Sequence, residues 1–303
     1  MTKRLMSRAG TQRSGQVLQL GDILRAGRAC LFIIRPWAGL SLAAAVVAAY
    51  WATTGRFVLD ERLVLVVGII FLIASAAFPL NDVNDLVIDR MVHTERPLSR
   101  GELSPGGALI LASGMIAVAL LLAARLGFFA FGWALLFSLA VIFYSRVKGW
   151  NAFLGNVLAA ALFGVAIPSV LFTGDGPFDL PLLFACAGLC TLVIYGREVV
   201  KDVEDSRADA ANGRVSIPIR YGAAAAYKVS AVSVVVASAA SIFIASGAGS
   251  WLRLAALAVT GMLLVMGGWL FLTSTESAAK ARVAQLKIIV IVSILLLAVG
   301  SAA

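Results

Sequence analysis

Three aspartates, Asp82, Asp85 and Asp89, stand three and four residues apart between two long apolar runs. Each residue of an α-helix turns the chain by about 100°, so this spacing predicts that the three carboxylates share one helix face. Clustered carboxylates repel one another unless cations hold them together, and oxygen ligands suit divalent metal ions. Because charges at the end of a membrane helix are costly, the cluster is interpreted as functional.

A second acidic cluster repeats this spacing with Asp202, Asp205 and Asp209. Both copies read D-V-x-D-x-x-x-D, so the match extends beyond the carboxylates themselves. The recurrence predicts an internal repeat, which is a common way of building membrane folds around a central site.

The elements that position these clusters are apolar runs of membrane-spanning length. The chain has 303 residues, of which 61% are apolar, against about 45–50% in a typical soluble protein. Runs of about 20 apolar residues predict an all-α, polytopic membrane protein with nine transmembrane helices around a central cavity. The predicted spans are 30–52, 63–80, 107–126, 128–144, 152–172, 180–195, 223–245, 251–272 and 283–302.

The predicted organisation is a basic N-terminal segment, residues 1–28, followed by a single transmembrane domain, residues 29–303. The first segment lacks the apolar core of a cleavable signal peptide. One acidic cluster follows the second span and the other follows the sixth. This arrangement predicts a pseudo-repeat of four helices.

The distribution of basic residues predicts the orientation in the membrane. With the N-terminus in the cytoplasm, 21 of the 25 Lys and Arg residues fall at cytoplasmic positions. Both acidic clusters then emerge on the cytoplasmic side, where they can face each other across one cavity, and the C-terminus lies outside. The expected location is the plasma membrane. The net charge of +9 is explained by these loops and does not indicate a nucleic-acid partner.

Two facing carboxylate clusters predict a site for two Mg²⁺ ions bridged by a diphosphate, because Mg²⁺ prefers few protein carboxylates and completes its shell with phosphate oxygens. Metal ions and basic side chains make a diphosphate a good leaving group. The basic side chains beside the clusters are Arg96, Arg100, Lys148, Lys201, Arg214 and Arg220. A membrane cavity above such a site suits an isoprenyl diphosphate that ionises to an allylic cation.

The motifs resemble those of the UbiA-type intramembrane prenyltransferases. The resemblance rests on N-D-x-x-D-x-x-x-D after the second span and D-x-x-x-D after the sixth. Three further segments are similar to family motifs: R-P-L-S-R-G at Arg96–Gly101, Tyr144-Ser145 with Lys148, and F-L-G-N at Phe153–Asn156. The resemblance covers about residues 29–300 and implies Mg²⁺-dependent transfer of an isoprenyl group.

By this resemblance, the six aspartates of the two clusters form the catalytic centre. The implied metal ligands are Asn81, Asp85, Asp205 and Asp209. The remaining acids, Asp82, Asp89 and Asp202, would orient those ligands or bind the ions through water. The implied residues for the diphosphate and the prenyl group are Asn81, Arg96, Arg100, Tyr144, Lys148, Arg197 and Lys201.

The lipophilic acceptor is open at this point. The stretch from Gly196 to Gly222 resembles the branch that alkylates geranylgeranylglyceryl phosphate, whereas other members prenylate 4-hydroxybenzoate. Trp37 and Ala38 stand where many members have an acceptor-site Asn after Arg-Pro. A more distant alternative is a cation-coupled transporter with a site between its repeats. Outside the motifs, His93 is predicted to be solvated. Whether Arg35 only extends to the membrane interface is open at this point.

Overall fold

The computed structural model describes residues 20–302 apart from residues 57, 148–150, 212 and 248, and the regular secondary structure of this part is entirely helical. The α-helices are α1 (Leu20–Ile33), α2 (Pro36–Thr54), α3 (Glu61–Asn84), α4 (Leu86–Val92), α5 (Pro105–Leu126), α6 (Phe128–Val147), α7 (Ala152–Ala166), α8 (Leu180–Ala211), α9 (Ile217–Tyr221), α10 (Ala223–Gly247), α11 (Ser250–Leu272) and α12 (Ala279–Ala302). A 3-10 segment, Ile167–Thr173, continues α7. The all-α prediction is therefore confirmed.

Seven helical stretches of the described chain are long and apolar enough to cross a membrane: Pro36–Thr54, Glu61–Asn84, Pro105–Leu126, Ala152–Thr173, Leu180–Ala211, Ala223–Gly247 and Ser250–Leu272. A shorter apolar stretch within α6, together with the 24-residue α12, occupies the remaining two predicted spans. Large apolar side chains such as Leu121, Phe129 and Leu272 remain mostly exposed on the outer surface. Such a surface is suited to contact with lipid.

The helix boundaries follow from local chemistry. Asp60, Ser104 and Asn151 act as N-caps, and their side chains accept hydrogen bonds from backbone N–H groups at the starts of α3, α5 and α7. The sequence predicts the first span as one helix from residue 30, but the chain breaks before Pro36. Proline disfavours helical geometry in the residue before it, and Arg35 adopts a left-handed conformation with φ of 45°.

The two halves of the chain use equivalent packing around the acidic motifs. In the first half, α3 carries the motif and packs against α2 and α5. In the second half, α8 carries the motif and packs against α7 and α10. Two apolar cores correspond to these halves, one around α2, α3 and α6, the other around α8, α10 and α11. This arrangement agrees with the predicted pseudo-repeat of four helices.

Candidate active site

The first acidic motif lies at the junction of α3 and α4. Asp82 is on the last turn of α3, Asp85 separates the helices, and Asp89 is on α4. The backbone N–H of Asp89 still bonds to the carbonyl of Asp85 at 2.8 Å, so the turn continues through the junction. All three aspartates are buried. The three acids therefore stay together across the junction of α3 and α4, although the sequence predicts that they share the face of a single helix.

The second motif lies within one continuous helix, because α8 runs 16 residues beyond the predicted membrane end at residue 195, to Ala211. Asp202 and Asp209 are buried on this extension, while the side chain of Asp205 is 23% exposed. The chain between Asp202 and Asp209 has no helix-breaking residue, and its 3-and-4 spacing directs the acids to one side of α8.

The two motifs meet in one cavity, here called the polar cavity. Its polar lining residues are Arg35, Asn81, Asp85, Asp89, His93 and Arg96 from the first half, and Lys201, Asp202, Asp205, Asp209 and Arg214 from the second. The prediction that the two clusters face each other is confirmed.

Arginines compensate the buried carboxylates of this cavity. The Arg214 guanidinium donates hydrogen bonds to Asp85 of the first motif and, at 3.4 Å, to Asp209 of the second. Arg96 donates to Asp89 and, at 3.3 Å, to Asp82. Because burying a charge is costly unless it is paired, these contacts compensate for the burial of the carboxylates.

Arg35 supplies a further cation to the first motif. Its Nη2 atom donates to Asp82 Oδ1 at 2.7 Å. The guanidinium also stacks over the Phe78 ring, with 5.0 Å between Cζ and the ring centroid. The backbone turn before Pro36 directs the side chain of Arg35 to the acidic motif, which gives it a specific partner in the described structure.

Burial and neighbouring charges shift the pKa values of ionisable groups in the cavity. Burial raises the pKa of Asp89 above its ordinary value, although the neighbouring Arg96 acts in the opposite direction. For Arg214, burial lowers the pKa, but the carboxylates of Asp85 and Asp209 outweigh burial and leave the pKa raised. Arg214 therefore remains a cation at any physiological pH.

Two residues beside the acidic motifs were not assigned to the site from the sequence. His93 is half-buried and lines the cavity, and its Nε2 atom lies 3.7 Å from Asp205 Oδ1, so the expectation of a solvated side chain is wrong. Asn156 on α7 donates from Nδ2 to Asp202 at 2.6 Å. Its Oδ1 atom is buried and has no hydrogen-bond partner among the described residues.

Several predicted binding residues are not brought to this cavity. Arg100 pairs with Glu102 at 3.1 Å, and its side chain is 58% exposed. The turn before Arg100 directs the side chain of Arg96 towards the acids, but not that of Arg100. Arg197 pairs with Glu198, one turn of α8 before the cavity. Tyr144 is absent from the described lining residues. Lys148 lies outside the described residues.

The donor set fits Mg²⁺. No three His, Cys, Asp or Glu side chains in the described part of the chain lie close enough together to hold an ion alone. Asp85 and Asp209 contact the same guanidinium, however, so a carboxylate from each motif comes within the span of one cationic group. Mg²⁺ typically uses one or two carboxylates and takes its other ligands from water and substrate phosphates. Asn81, beside Asp85, adds an amide oxygen to this set.

A second cavity, lined mainly by apolar side chains, is here called the apolar cavity. It is bounded by α2, α8 and α12, with contributions from α10 and the 3-10 segment. Ser293 carries the one hydroxyl group among its described lining residues. A cavity of this lining suits a hydrocarbon chain.

A polytopic helical fold with two acidic motifs around one polar cavity defines a class of intramembrane prenyl-transfer enzymes. The chain belongs to the UbiA prenyltransferase family, whose family model matches residues 41–292. Family membership and the long apolar helices together make it an integral membrane protein. Membership of this enzyme family also argues against the alternative of a cation-coupled transporter.

Relatives and solved structures agree with this assignment. The chain is 31% identical over 220 residues to a digeranylgeranylglyceryl phosphate synthase of Methanopyrus kandleri, covering 70% of this chain and 80% of that protein. It is also 31% identical to the Thermococcus kodakarensis protein of the same name, covering 78% of this chain and 85% of that protein.

Two solved structures show the same fold. A structure described as that of digeranylgeranylglyceryl phosphate synthase matches with a TM-score of 0.71 and 24% identity over 91% of this chain and 99% of that chain. A UbiA homologue from Archaeoglobus fulgidus, described as bound to GPP and Mg²⁺, matches with a TM-score of 0.62 and 17% identity over 89% of this chain and 99% of that chain.

Proposed function

We propose that this protein transfers an isoprenyl group from an isoprenyl diphosphate to the hydroxyl group of a prenylglyceryl phosphate, in the membrane and with two Mg²⁺ ions. The observation that carries the proposal is the polar cavity, where acids of both motifs alternate with Arg96, Lys201 and Arg214. The names of the relatives support the acceptor. The GPP and Mg²⁺ bound to the Archaeoglobus fulgidus homologue support the donor and the metal.

The ligands proposed for the ions are Asn81, Asp85, Asp205 and Asp209. When bound, Mg²⁺ neutralises diphosphate charge and makes the diphosphate a better leaving group. Arg35 and Arg96 hold Asp82 and Asp89 through the contacts described above, and Asn156 holds Asp202. These three acids therefore stay oriented beside the proposed ligands, as outer partners of metal ligands do.

The cationic side chains of the cavity bind the diphosphate. Arg96 and Lys201 line opposite sides of the site, one beside each motif. In the reaction, the bond from C1 of the prenyl group to the diphosphate oxygen breaks, and its electron pair leaves with the diphosphate. The acceptor oxygen forms the new bond to C1, and its proton passes to solvent. Preorganised positive charge stabilises the negative charge that develops on the leaving group.

The proposed arrangement in the cell follows the charge asymmetry of the sequence. The N-terminus and the polar cavity face the cytoplasm, the C-terminus lies outside, and the enzyme is in the plasma membrane. The transmembrane domain begins at residue 29, and the basic segment 1–28 precedes it. Its partners are the two lipid substrates and the surrounding membrane lipid, without nucleic acid.

The test is to offer the purified enzyme geranylgeranyl diphosphate with either geranylgeranylglyceryl phosphate or 4-hydroxybenzoate. We expect an ether lipid from the first acceptor, dependence on Mg²⁺ or Mn²⁺, and no turnover in excess EDTA. Product formed only with the aromatic acid would contradict the proposed prenylglyceryl phosphate acceptor. Full turnover in EDTA would overturn the metal proposal while leaving the prenyltransferase family assignment intact.

A further inference from the structure

The apolar cavity lies in line with the polar cavity along α8. Cys186, Cys190 and Ile194 line the apolar cavity, and Lys201 lines the polar cavity. Their successive spacings of four, four and seven residues place all four on one face of the helix. From the helical rise, the apolar cavity extends along this face from about 10 Å to about 22 Å beyond Lys201. A hydrocarbon chain that follows α8 away from the polar cavity therefore passes along the apolar cavity.

The register of α2 gives the same order and similar distances. Arg35, which lines the polar cavity, directly precedes this helix. Ala45 and Ala52 both line the apolar cavity, and they lie about 15 Å and about 25 Å along the helix from Arg35. Ala45 is therefore at the near end of the apolar cavity, and Ala52 is at the far end.

The wall that α2 contributes is made of small side chains. All four of its lining residues are alanines, at Ala45, Ala48, Ala49 and Ala52, whereas the other helices contribute mainly Leu, Ile, Val and Cys. Offsets of three, four and seven residues place the four alanines on one helix face. Ala48 is buried but belongs to neither of the two apolar cores. Because these positions line the cavity, a larger side chain at any of them takes up its space.

A buried hydroxyl group indicates what kind of chain this cavity takes. Ser293 lines the cavity and is only 9% exposed, and its hydroxyl forms no hydrogen bond within the described part of the chain. A hydroxyl without a partner is unfavourable in apolar surroundings, and a saturated hydrocarbon offers it no acceptor. The double bonds of an isoprenyl chain present π electrons, which accept weak hydrogen bonds. The lining therefore suits an isoprenyl chain better than a saturated acyl chain.

We infer that the apolar cavity holds the hydrocarbon chain of the donor and that Ala48 and Ala52 set the longest chain that the enzyme accepts. This inference rests on the proposed function and deepens it. At ordinary C–C bond lengths, four isoprene units in extended form span about 19 Å, and a fifth unit brings this to about 24 Å. The far end of the cavity is about 22–25 Å from the groups that line the polar cavity. Four units therefore fit, and a fifth reaches the far wall.

The test measures kcat/KM for donor diphosphates of two to five isoprene units, with geranylgeranylglyceryl phosphate as acceptor, in phosphatidylcholine nanodiscs. Ala52→Leu should lower the ratio of geranylgeranyl to geranyl diphosphate about ten- to a hundredfold, because the last unit loses its place. Ala48→Leu, one turn nearer the polar cavity, should also lower the ratio of farnesyl to geranyl diphosphate. The matched control is Ala44→Leu, since Ala44 is exposed on the same helix. It should keep the wild-type preference.

A variant that enlarges the cavity gives a gain that loss of stability cannot produce. Tyr227 near the start of α10 donates to the carbonyl of Thr275 at 3.0 Å, and α10 follows the loop that carries Arg214. α12 therefore begins at the end of the bundle that holds the polar cavity, and its lining residue Leu297 is at the far end. Leu297→Ala should raise kcat/KM for the five-unit donor, relative to geranylgeranyl diphosphate, about tenfold. Val299→Ala, at a residue 67% exposed, should leave this ratio unchanged.

The outcomes separate this inference from the proposed function. An unchanged dependence on donor length in Ala48→Leu and Ala52→Leu would contradict the inference. An equal decrease with every donor would also contradict it, because that result indicates a loss of stability rather than of space. A wild type that transfers no isoprenyl group of any length to geranylgeranylglyceryl phosphate would instead overturn the proposed function.

Discussion

Arg214 donates a hydrogen bond to Asp85, which lies 129 residues earlier in the chain. The same guanidinium contacts Asp209, so one side chain from the loop after α8 joins the acidic motifs of both halves. The side chains of Arg214 and Asp85 are only 11% and 12% exposed. The cation therefore fixes the relative position of two carboxylates that would otherwise repel each other.

Replacing Arg214 by Gln should destabilise the metal-free protein by about 3–5 kcal/mol, because it leaves two buried carboxylates without this partner. Arg214→Lys keeps the charge but offers a point charge in place of a planar fork, so we expect an intermediate loss. The measurement is the free energy of unfolding in SDS, without divalent metal.

The matched control for Arg214 is Arg207→Gln. The Arg207 side chain is 89% exposed, and its nearest carboxylate, Glu276, lies at 3.6 Å. Exposed ion pairs of this kind contribute little to stability, so we expect the free energy of unfolding to change by less than about 1 kcal/mol. Equal losses at positions 214 and 207 would contradict a structural bridge between the motifs.

Asp85→Asn and Asp205→Asn should each lower kcat at least about a hundredfold, since each removes negative charge from a proposed metal ligand. Their effects on stability should differ. Asp85 is buried against Arg214, whereas Asp205 is partly exposed beside His93 and Lys201. Only Asp85→Asn is therefore expected to lower the unfolding free energy.

Glu102→Gln is the control for both aspartates, because Glu102 is an acid outside the polar cavity, paired with Arg100. It should keep near-normal turnover. Near-normal turnover in Asp205→Asn as well would remove Asp205 from the proposed ligands, without affecting the assignment of Asp85.

The sequence is sufficient to predict the spans and the meeting of the two acidic motifs, because apolar length and the 3-and-4 spacing are local properties. The partners of those acids are not local. Arg96 and Arg100 both follow the first motif closely in sequence, yet only Arg96 turns towards it. Arg214 reaches Asp85 only through the tertiary fold, because the two residues are 129 positions apart in the chain.

The left-handed conformation of Arg35 provides a test that separates backbone strain from charge. Arg35→Ala and Arg35→Gly both remove the hydrogen bond to Asp82. Only glycine adopts a positive φ without steric cost, which for other residues is about 1–2 kcal/mol. We expect the Gly variant to be about 1 kcal/mol more stable than the Ala variant in SDS unfolding, and both to lose activity. A more stable Ala variant would contradict the break before Pro36.

The contact between α7 and α8 depends on Gly164. A Cβ atom at this position would lie 2.0 Å from Thr191 Oγ1 and 3.2 Å from the carbonyl oxygen of Ala187. The hydroxyl can rotate away, but the backbone carbonyl cannot. Gly164→Ala should therefore push the helices apart and destabilise the protein by about 1–3 kcal/mol. The same interface holds the bond from Asn156 to Asp202, so prenyl transfer should also slow.

Gly188 on α8 supplies the control for Gly164, because a Cβ atom there would meet nothing within 4 Å. Gly188→Ala should be neutral or stabilising by up to about 1 kcal/mol, as alanine favours a helix interior over glycine. Adding Thr191→Ala to Gly164→Ala removes the closer clash and should recover part of the stability, a coupling that a double-mutant cycle measures. If Gly164→Ala matches Gly188→Ala in SDS unfolding and in turnover, α7 and α8 do not approach as closely as described.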